Sequence, residues 1–132
     1  AAVGALESVR AKYLFENDLL DDRTEALVVL SDQEMIDCAG ANTGNYGCNG
    51  GWPKSAISRY TAKQNGVCSE EDYPYEAKDN LGCRTSNCEN IPYTTFGKSK
   101  YVTSVRNNER SAPKIDEALD INPLIVAVVV EP

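Results

Sequence analysis

Five cysteines, at positions 38, 48, 68, 83 and 88, are the residues of this 132-residue chain best able to do chemistry. A thiol can act as a nucleophile, hold a metal ion or join a second thiol in a disulfide, and spacing helps to select among these uses. There is no histidine and no pair of cysteines two residues apart, so the usual pattern of a zinc site is missing and no imidazole is present as a general base. A disulfide framework in an oxidising compartment is the better reading. The odd count leaves one cysteine free, bonded to another chain, or paired with a residue elsewhere in a longer polypeptide.

Cys48 lies in the stretch Gly47-Cys48-Asn49-Gly50-Gly51-Trp52-Pro53. Two adjacent glycines beside a cysteine suit a backbone that something approaches closely, because no Cβ stands in the way. A ligand or substrate strand is one candidate for what approaches. A tight turn pinned by a disulfide is the plainer alternative.

The elements that must position this loop are helices on either side of it. Over residues 2 to about 17, Ala2, Leu6, Val9 and Tyr13 recur at helical spacing, and no capping residue precedes Ala1, so the sequence is expected to open inside a helix. Residues 18–24 form an acidic, irregular run read as a loop. Ser31-Asp32-Gln33-Glu34 fits a capping box, with Leu30 and Met35 placed to staple it, and predicts a short helix to about Cys38. After the glycines, Pro53 suits the first turn of a third helix and Gly66 its C-terminal cap, with Trp52, Ala56 and Tyr60 in register along one face. Residues 68–92 read as irregular chain held by disulfides. Residues 93–96 and 100–105 read as strands, 111–119 as a brief helix, and 124–130 as a strand apolar on both faces.

Composition narrows the function class. Twenty acidic against thirteen basic residues give a net charge of −7, which disfavours a phosphate-backbone partner, so no nucleic acid is expected. The longest apolar run is too short to span a bilayer, so no membrane is expected either. The length suits one modest core.

Four segments agree, in order, with one family: Ala2-Val3-Gly4-Ala5-Leu6-Glu7, Leu30-Ser31-Asp32-Gln33-Glu34-Met35-Ile36-Asp37-Cys38, Gly47-Cys48-Asn49-Gly50-Gly51, and Glu70-Glu71-Asp72-Tyr73-Pro74-Tyr75-Glu76-Ala77. The chain resembles the papain-like cysteine proteases of the cathepsin L or papain type. The resemblance implies an α+β fold, mostly the helical left domain plus the first strands of the β-barrel right domain. It divides the chain into residues 1–105, the left domain with the start of its central helix missing, and 106–132, the incomplete opening of the barrel. Localisation would be secreted or lysosomal.

In that family a thiolate at the N-terminus of the central helix attacks the peptide carbonyl, activated by an imidazole and the helix dipole. Aligned on the family motif, that cysteine would precede Ala1, as would the glutamine of the oxyanion hole, and the histidine would follow Pro132. No residue here is therefore assigned a catalytic role, and the chain alone is expected to be inactive. What carries over is part of the substrate cleft. Asn49, Gly50 and Gly51 match the loop whose backbone pairs with extended substrate, Trp52 and Pro53 wall the main specificity pocket, and Ala127 lines it. For Trp52, a core anchor for the third helix is an equal alternative.

The resemblance also implies a bridge between Cys38 and Cys83, and a partner for Cys48 outside this chain. Cys68 and Cys88 fit no bridge common to the family and are expected to pair with each other. No metal or cofactor is implied. The partners implied are a peptide or protein substrate and the remainder of the protease as a second chain. The competing readings are a noncatalytic papain-like binding or storage protein and an unrelated cysteine-stapled domain.

Overall fold

The computed structural model describes residues 1–19, 28–79, 81–92 and 112–126. Helix α1 (Ala2–Glu16) begins without a side-chain cap, and α2 (Asp32–Cys38) is capped by Ser31, whose Oγ accepts from the Glu34 amide. Two single 3₁₀ turns (Ala41–Thr43 and Gly47–Asn49) carry the chain to the glycines. Helix α3 (Pro53–Ser55), a π-helical segment (Ala56–Thr61) and α4 (Ala62–Gln64) then run on as one rod. Strand β1 (Gly66–Cys68) pairs antiparallel with β2 (Asn90–Pro92), Val67 opposite Ile91, and α5 (Ala112–Leu119) follows later.

Several expectations change in detail. The buried stripe of α1 is Val3, Leu6, Arg10 and Leu14, rotated from the Ala2, Leu6, Val9, Tyr13 face, although Ala2 also packs on the core. Val9 and Tyr13 are instead half-buried in a second, shallow contact with Asn122. A helix with neighbours on two sides has no single apolar stripe for a sequence to display.

The predicted alignment of Trp52 with Ala56 and Tyr60 fails for a local reason. The residue before a proline is held out of the helical region, and Trp52 is extended (φ −106°, ψ 104°), so it lies outside the helix. It is 72% exposed, whereas Ala56 and Tyr60 are buried, and the core-anchor reading of Trp52 falls with that number. The rod also changes pitch: the Ala62 amide donates to the Ile57 carbonyl five residues back. The wider turn brings Ala56, Ile57, Tyr60 and Thr61 all into the interior.

The rod ends on Asn65 in the left-handed region (φ 58°), not on Gly66. Asparagine tolerates that conformation. Gly66 is needed for a different reason, since a Cβ there would collide with the Ile91 carbonyl oxygen of the paired strand. Of the strands expected in the last third, residues 93–105 and 127–130 lie outside the described residues. Leu124, Ile125 and Val126, which are described, have no regular structure.

The core is one cluster of Val3, Leu6, Leu30, Ile57 and Val67, flanked by a second of Ala39, Ala56 and Tyr60. Three elements meet on one buried carboxylate between them. Glu34 is fully buried and accepts from the Tyr60 hydroxyl at 2.7 Å and from the Cys68 amide at 2.6 Å. In a capping box it would have turned back to the Ser31 amide, but that amide donates to the Cys68 carbonyl instead.

A second polar cluster ties residues 73–84 to α2. The Tyr73 hydroxyl donates to Asp37 at 2.7 Å, Gln33 bonds the Glu76 amide and the Lys78 carbonyl, and Arg84 pairs with Glu76 at 2.7 Å while lying 5.0 Å over the Tyr73 ring. Burial, and then the bond to Asp37, raises the Tyr73 pKa. The structure bonds Cys38 to Cys83 beside this cluster, and Cys68 at the end of β1 to Cys88 just before β2.

Burial raises the Glu34 pKa above its ordinary 4.5, and the bonds from Tyr60 and Cys68 act the other way. The folded state therefore binds the extra proton between the unfolded and folded values. Glu34's contribution to stability is full below the unfolded value and is lost as pH rises through the folded one. Urea unfolding over a pH series should show the stability advantage of the native chain over Glu34→Gln shrinking as pH rises from 4.5. At low pH the variant should sit about 1–3 kcal/mol below the native chain, because one buried donor faces an amide NH₂. A pH-independent gap would contradict this account.

The Cys38–Cys83 bridge closes a separation of 45 residues. By chain entropy its removal in a Cys38→Ser, Cys83→Ser double variant should cost about 4 kcal/mol, measured as a lower denaturant midpoint. A midpoint unchanged by the double substitution would show that the Gln33–Asp37–Tyr73–Arg84 cluster holds the segment by itself.

Candidate functional site

The glycine stretch is a short hairpin whose shape follows from its residue types. Asn45 and Gly51 face each other as an antiparallel bridge, and the Tyr46 amide donates to the Gly50 carbonyl at 2.9 Å. Inside it the Asn49 amide donates to Tyr46 and the Gly50 amide to Gly47, at 3.0 and 3.2 Å. A Cβ on Gly51 would come within 2.8 Å of the Asn45 Cα, so the two legs approach this closely only with glycine there. Gly50 sits at φ 90° with nothing within 4 Å of a Cβ position, so its need for glycine is conformational.

Two side-chain hydrogen bonds to Thr43 fix the hairpin to the rod. The Ser55 hydroxyl lies 2.5 Å from the Thr43 carbonyl, and the Asn45 side-chain amide donates to the Thr43 hydroxyl at 2.8 Å. Trp52 leans over Gly44, where a Cβ would meet the indole Cδ1 at 3.3 Å. The remainder of the indole faces solvent.

In front of the hairpin is an open cleft of about 310 Å³. Its walls are the start of α1 (Ala1, Ala2, Val3), one side of α2 (Asp32, Met35, Ile36), the hairpin (Asn45, Gly47, Gly50, Gly51), and Pro53, Ala56 and Tyr75. The first residues of α1 therefore border this space. Gly51 is exposed on the rim, and its amide and carbonyl make no backbone hydrogen bond within the described residues. That combination leaves one donor and one acceptor available to an extended chain laid alongside.

The structure brings Gly50, Gly51 and Pro53 together on the cleft and places Asn49 and Trp52, both exposed, on the same hairpin without lining it. Ala127 lies outside the described residues. Cys48 is exposed and is the free cysteine, on the outer turn of the hairpin. Among the described residues no group of three or more histidine, cysteine, aspartate or glutamate side chains could hold a metal ion. Reading the sequence alone missed Met35, Ile36 and Tyr75 as cleft residues. Tyr75, in the Tyr-Pro-Tyr triplet, was visible as a motif, but only the tether of residues 73–84 to α2 brings it to the cleft.

A family signature described as papain family cysteine protease matches residues 2–132. Among curated relatives, digestive cysteine proteinase 1 of Homarus americanus is 42% identical over 106 residues, covering 80% of this chain and 30% of its own. Cathepsin S of Bos taurus is 37% identical over 115 residues, covering 83% of this chain and 31% of its own. The chain thus spans less than a third of the length of these relatives. A similar solved structure is the Amb a 11 cysteine protease, a major ragweed pollen allergen, in its proform, at TM-score 0.51 and 33% identity over 67% of this chain and 22% of that one. The described residues accordingly have a papain-like fold, mostly helical with a small two-stranded sheet. With the signature running almost end to end and the relatives agreeing, the chain belongs to the papain family of cysteine proteases.

Proposed function

We propose that this chain is part of a papain-like cysteine endopeptidase and supplies one wall of its substrate cleft but none of its catalytic dyad. The whole protein would hydrolyse peptide bonds through a thiolate and an acyl-enzyme, with the nucleophile and its base contributed by residues outside this chain. The observation that carries the reading is Gly51, exposed on the rim of the cleft with its backbone donor and acceptor unused by the hairpin. Asn49, Gly50 and Gly51 then form the edge along which substrate backbone lies. Trp52 and Pro53 would wall an apolar pocket beside it, with Ala127 as a small residue of its lining.

The domain division has support of the same kind. Both core clusters and both disulfides use residues between 2 and 91 only, whereas every α5 side chain described is exposed or half-exposed. We assign residues 1–105 to the helical domain and 106–132 to the opening of the barrel domain. The substrate is a peptide or protein, and the remainder of the protease is the second partner. Two disulfides favour a secreted or lysosomal setting. Among the described residues no helix is long and apolar enough to cross a membrane.

Titration of the protein with an extended peptide bearing one large apolar side chain should move the Gly50 and Gly51 amide resonances and the Trp52 indole signal. Shifts confined to other surfaces would remove the reading. Trp52→Ala should weaken that peptide about tenfold while changing stability by no more than about 0.5 kcal/mol, as suits an exposed side chain. An unfolded Trp52→Ala variant would restore the core-anchor role. The whole protein should cleave a fluorogenic peptide and be stopped by a thiol-reactive epoxide, and failure of both would favour a noncatalytic papain-like binding or storage protein.

A further inference from the structure

The chain contains Asn-Gly twice in ordered positions, Asn49-Gly50 in the hairpin and Asn65-Gly66 at the end of the helical rod. Asn-Gly is the dipeptide in which the asparagine side chain is most open to attack by the following backbone nitrogen, since glycine offers no Cβ to obstruct the ring. Both asparagine side chains are exposed and make no hydrogen bond within the described residues, and the two sites differ in how firmly the backbone and the following glycine are held.

At Asn49 the side chain is exposed and makes no hydrogen bond within the described residues. The Gly50 nitrogen is held only by a 3.2 Å bond to the Gly47 carbonyl, on an exposed residue with open space where a Cβ would be. Freeing it disturbs one turn of a surface hairpin, which places the opening at the low end of local stabilities. At Asn65 the residue is fixed in the left-handed cap (φ 58°, ψ 30°), and Gly66 is buried in the strand pair opposite Pro92. The Gly66 position lies against the Ile91 carbonyl, with Asn90 Cβ 3.1 Å from where a Cβ would be, so this backbone cannot rotate without parting β1 from β2.

We infer that Asn49 is a site of spontaneous modification, converting through a succinimide to aspartate and isoaspartate, and that the fold protects Asn65 from the same reaction. The Gly50 nitrogen gives up its proton to solvent base and bonds to the Asn49 Cγ, and the Cγ–Nδ2 bond breaks to release ammonia. Water then opens the ring. Cleavage at Cγ–N leaves aspartate with the original backbone, while cleavage between the main-chain carbonyl carbon and that nitrogen leaves isoaspartate. The net change is amide plus water to acid plus ammonia, with no oxidant or reductant.

Either product puts a negative charge beside Cys48. Isoaspartate also adds a methylene to the main chain between residues 49 and 50, which upsets the span that lets Tyr46 bond Gly50 and Asn45 face Gly51. The site stands on the hairpin alone. Where the substrate-cleft reading also holds, conversion alters the edge that receives the peptide, and the protein carries a built-in limit on its working life.

The test is to incubate the folded protein at body temperature and mildly alkaline pH, map peptides by mass, and label isoaspartate with an isoaspartyl methyltransferase. No peptide ligand is used, so the outcome is independent of the cleft. Asn49 should convert about tenfold or more faster than Asn65, a factor that corresponds to about 1.4 kcal/mol between the two local openings. In denatured protein the two rates should converge, and Asn49→Gln should remove the methyltransferase signal from the native protein. Equal native rates, a faster Asn65, or a native Asn49 that stays intact while the denatured chain converts would each overturn the proposal.

Discussion

A single buried carboxylate holds the described structure together. Glu34 lies on α2, its two oxygens are taken by Tyr60 of the rod and the main chain of Cys68 in β1, and none of its surface reaches solvent. Burying a carboxyl is costly unless its lone pairs are met, and here they are met by groups from two other elements. The arrangement therefore has a narrow tolerance: displacing α2, the rod or β1 leaves a polar atom without a partner. The neighbouring Leu30–Ser69 bridge and the bonds of Ser31 to Cys68 and Tyr73 share that geometry. They fix the start of α2 to β1 and to the chain that follows it.

Such a fixed frame lets the hairpin in front of it be thin and exposed. Residues 44–51 contribute nothing to either core cluster, and their internal order comes from two glycine-dependent contacts and a few backbone hydrogen bonds. The hairpin keeps its place through the bonds of Ser55 and Asn45 to Thr43. A recognition edge of this kind presents backbone groups at a defined height without needing apolar burial of its own. The single bond holding the exposed Gly50 nitrogen is also what leaves Asn49 open to slow chemistry.

The polar cluster around Tyr73 has a comparable role on the other side of the cleft. Arg84 bridges Glu76 and Asp37 and stacks over Tyr73, while Gln33 holds two main-chain groups of the same segment. These contacts and the Cys38–Cys83 bridge bring Tyr75 to the cleft wall. The Arg84–Glu76 pair, exposed on both sides, adds little by itself, and the main-chain bonds and the bridge carry most of the constraint.

The amino-acid order alone determined whatever depends on neighbours along the chain. Ser31 capping α2, Pro53 opening the rod, the helix near 112–119 and the glycine requirement of the hairpin could all be read from residue types a few positions apart. Motif order supplied the family, because four short signals in sequence are more specific than any one. Tertiary structure decided the rest. Glu34 fits a capping box by spacing, yet it turns inward because buried donors on Tyr60 and Cys68 would otherwise go unmet. Trp52 matches a helical register, yet it is turned out by the proline after it. The face of α1 that is buried, and the arrival of Tyr75 beside Met35, depend on partners tens of residues away, and local periodicity carries no record of contacts formed at that distance.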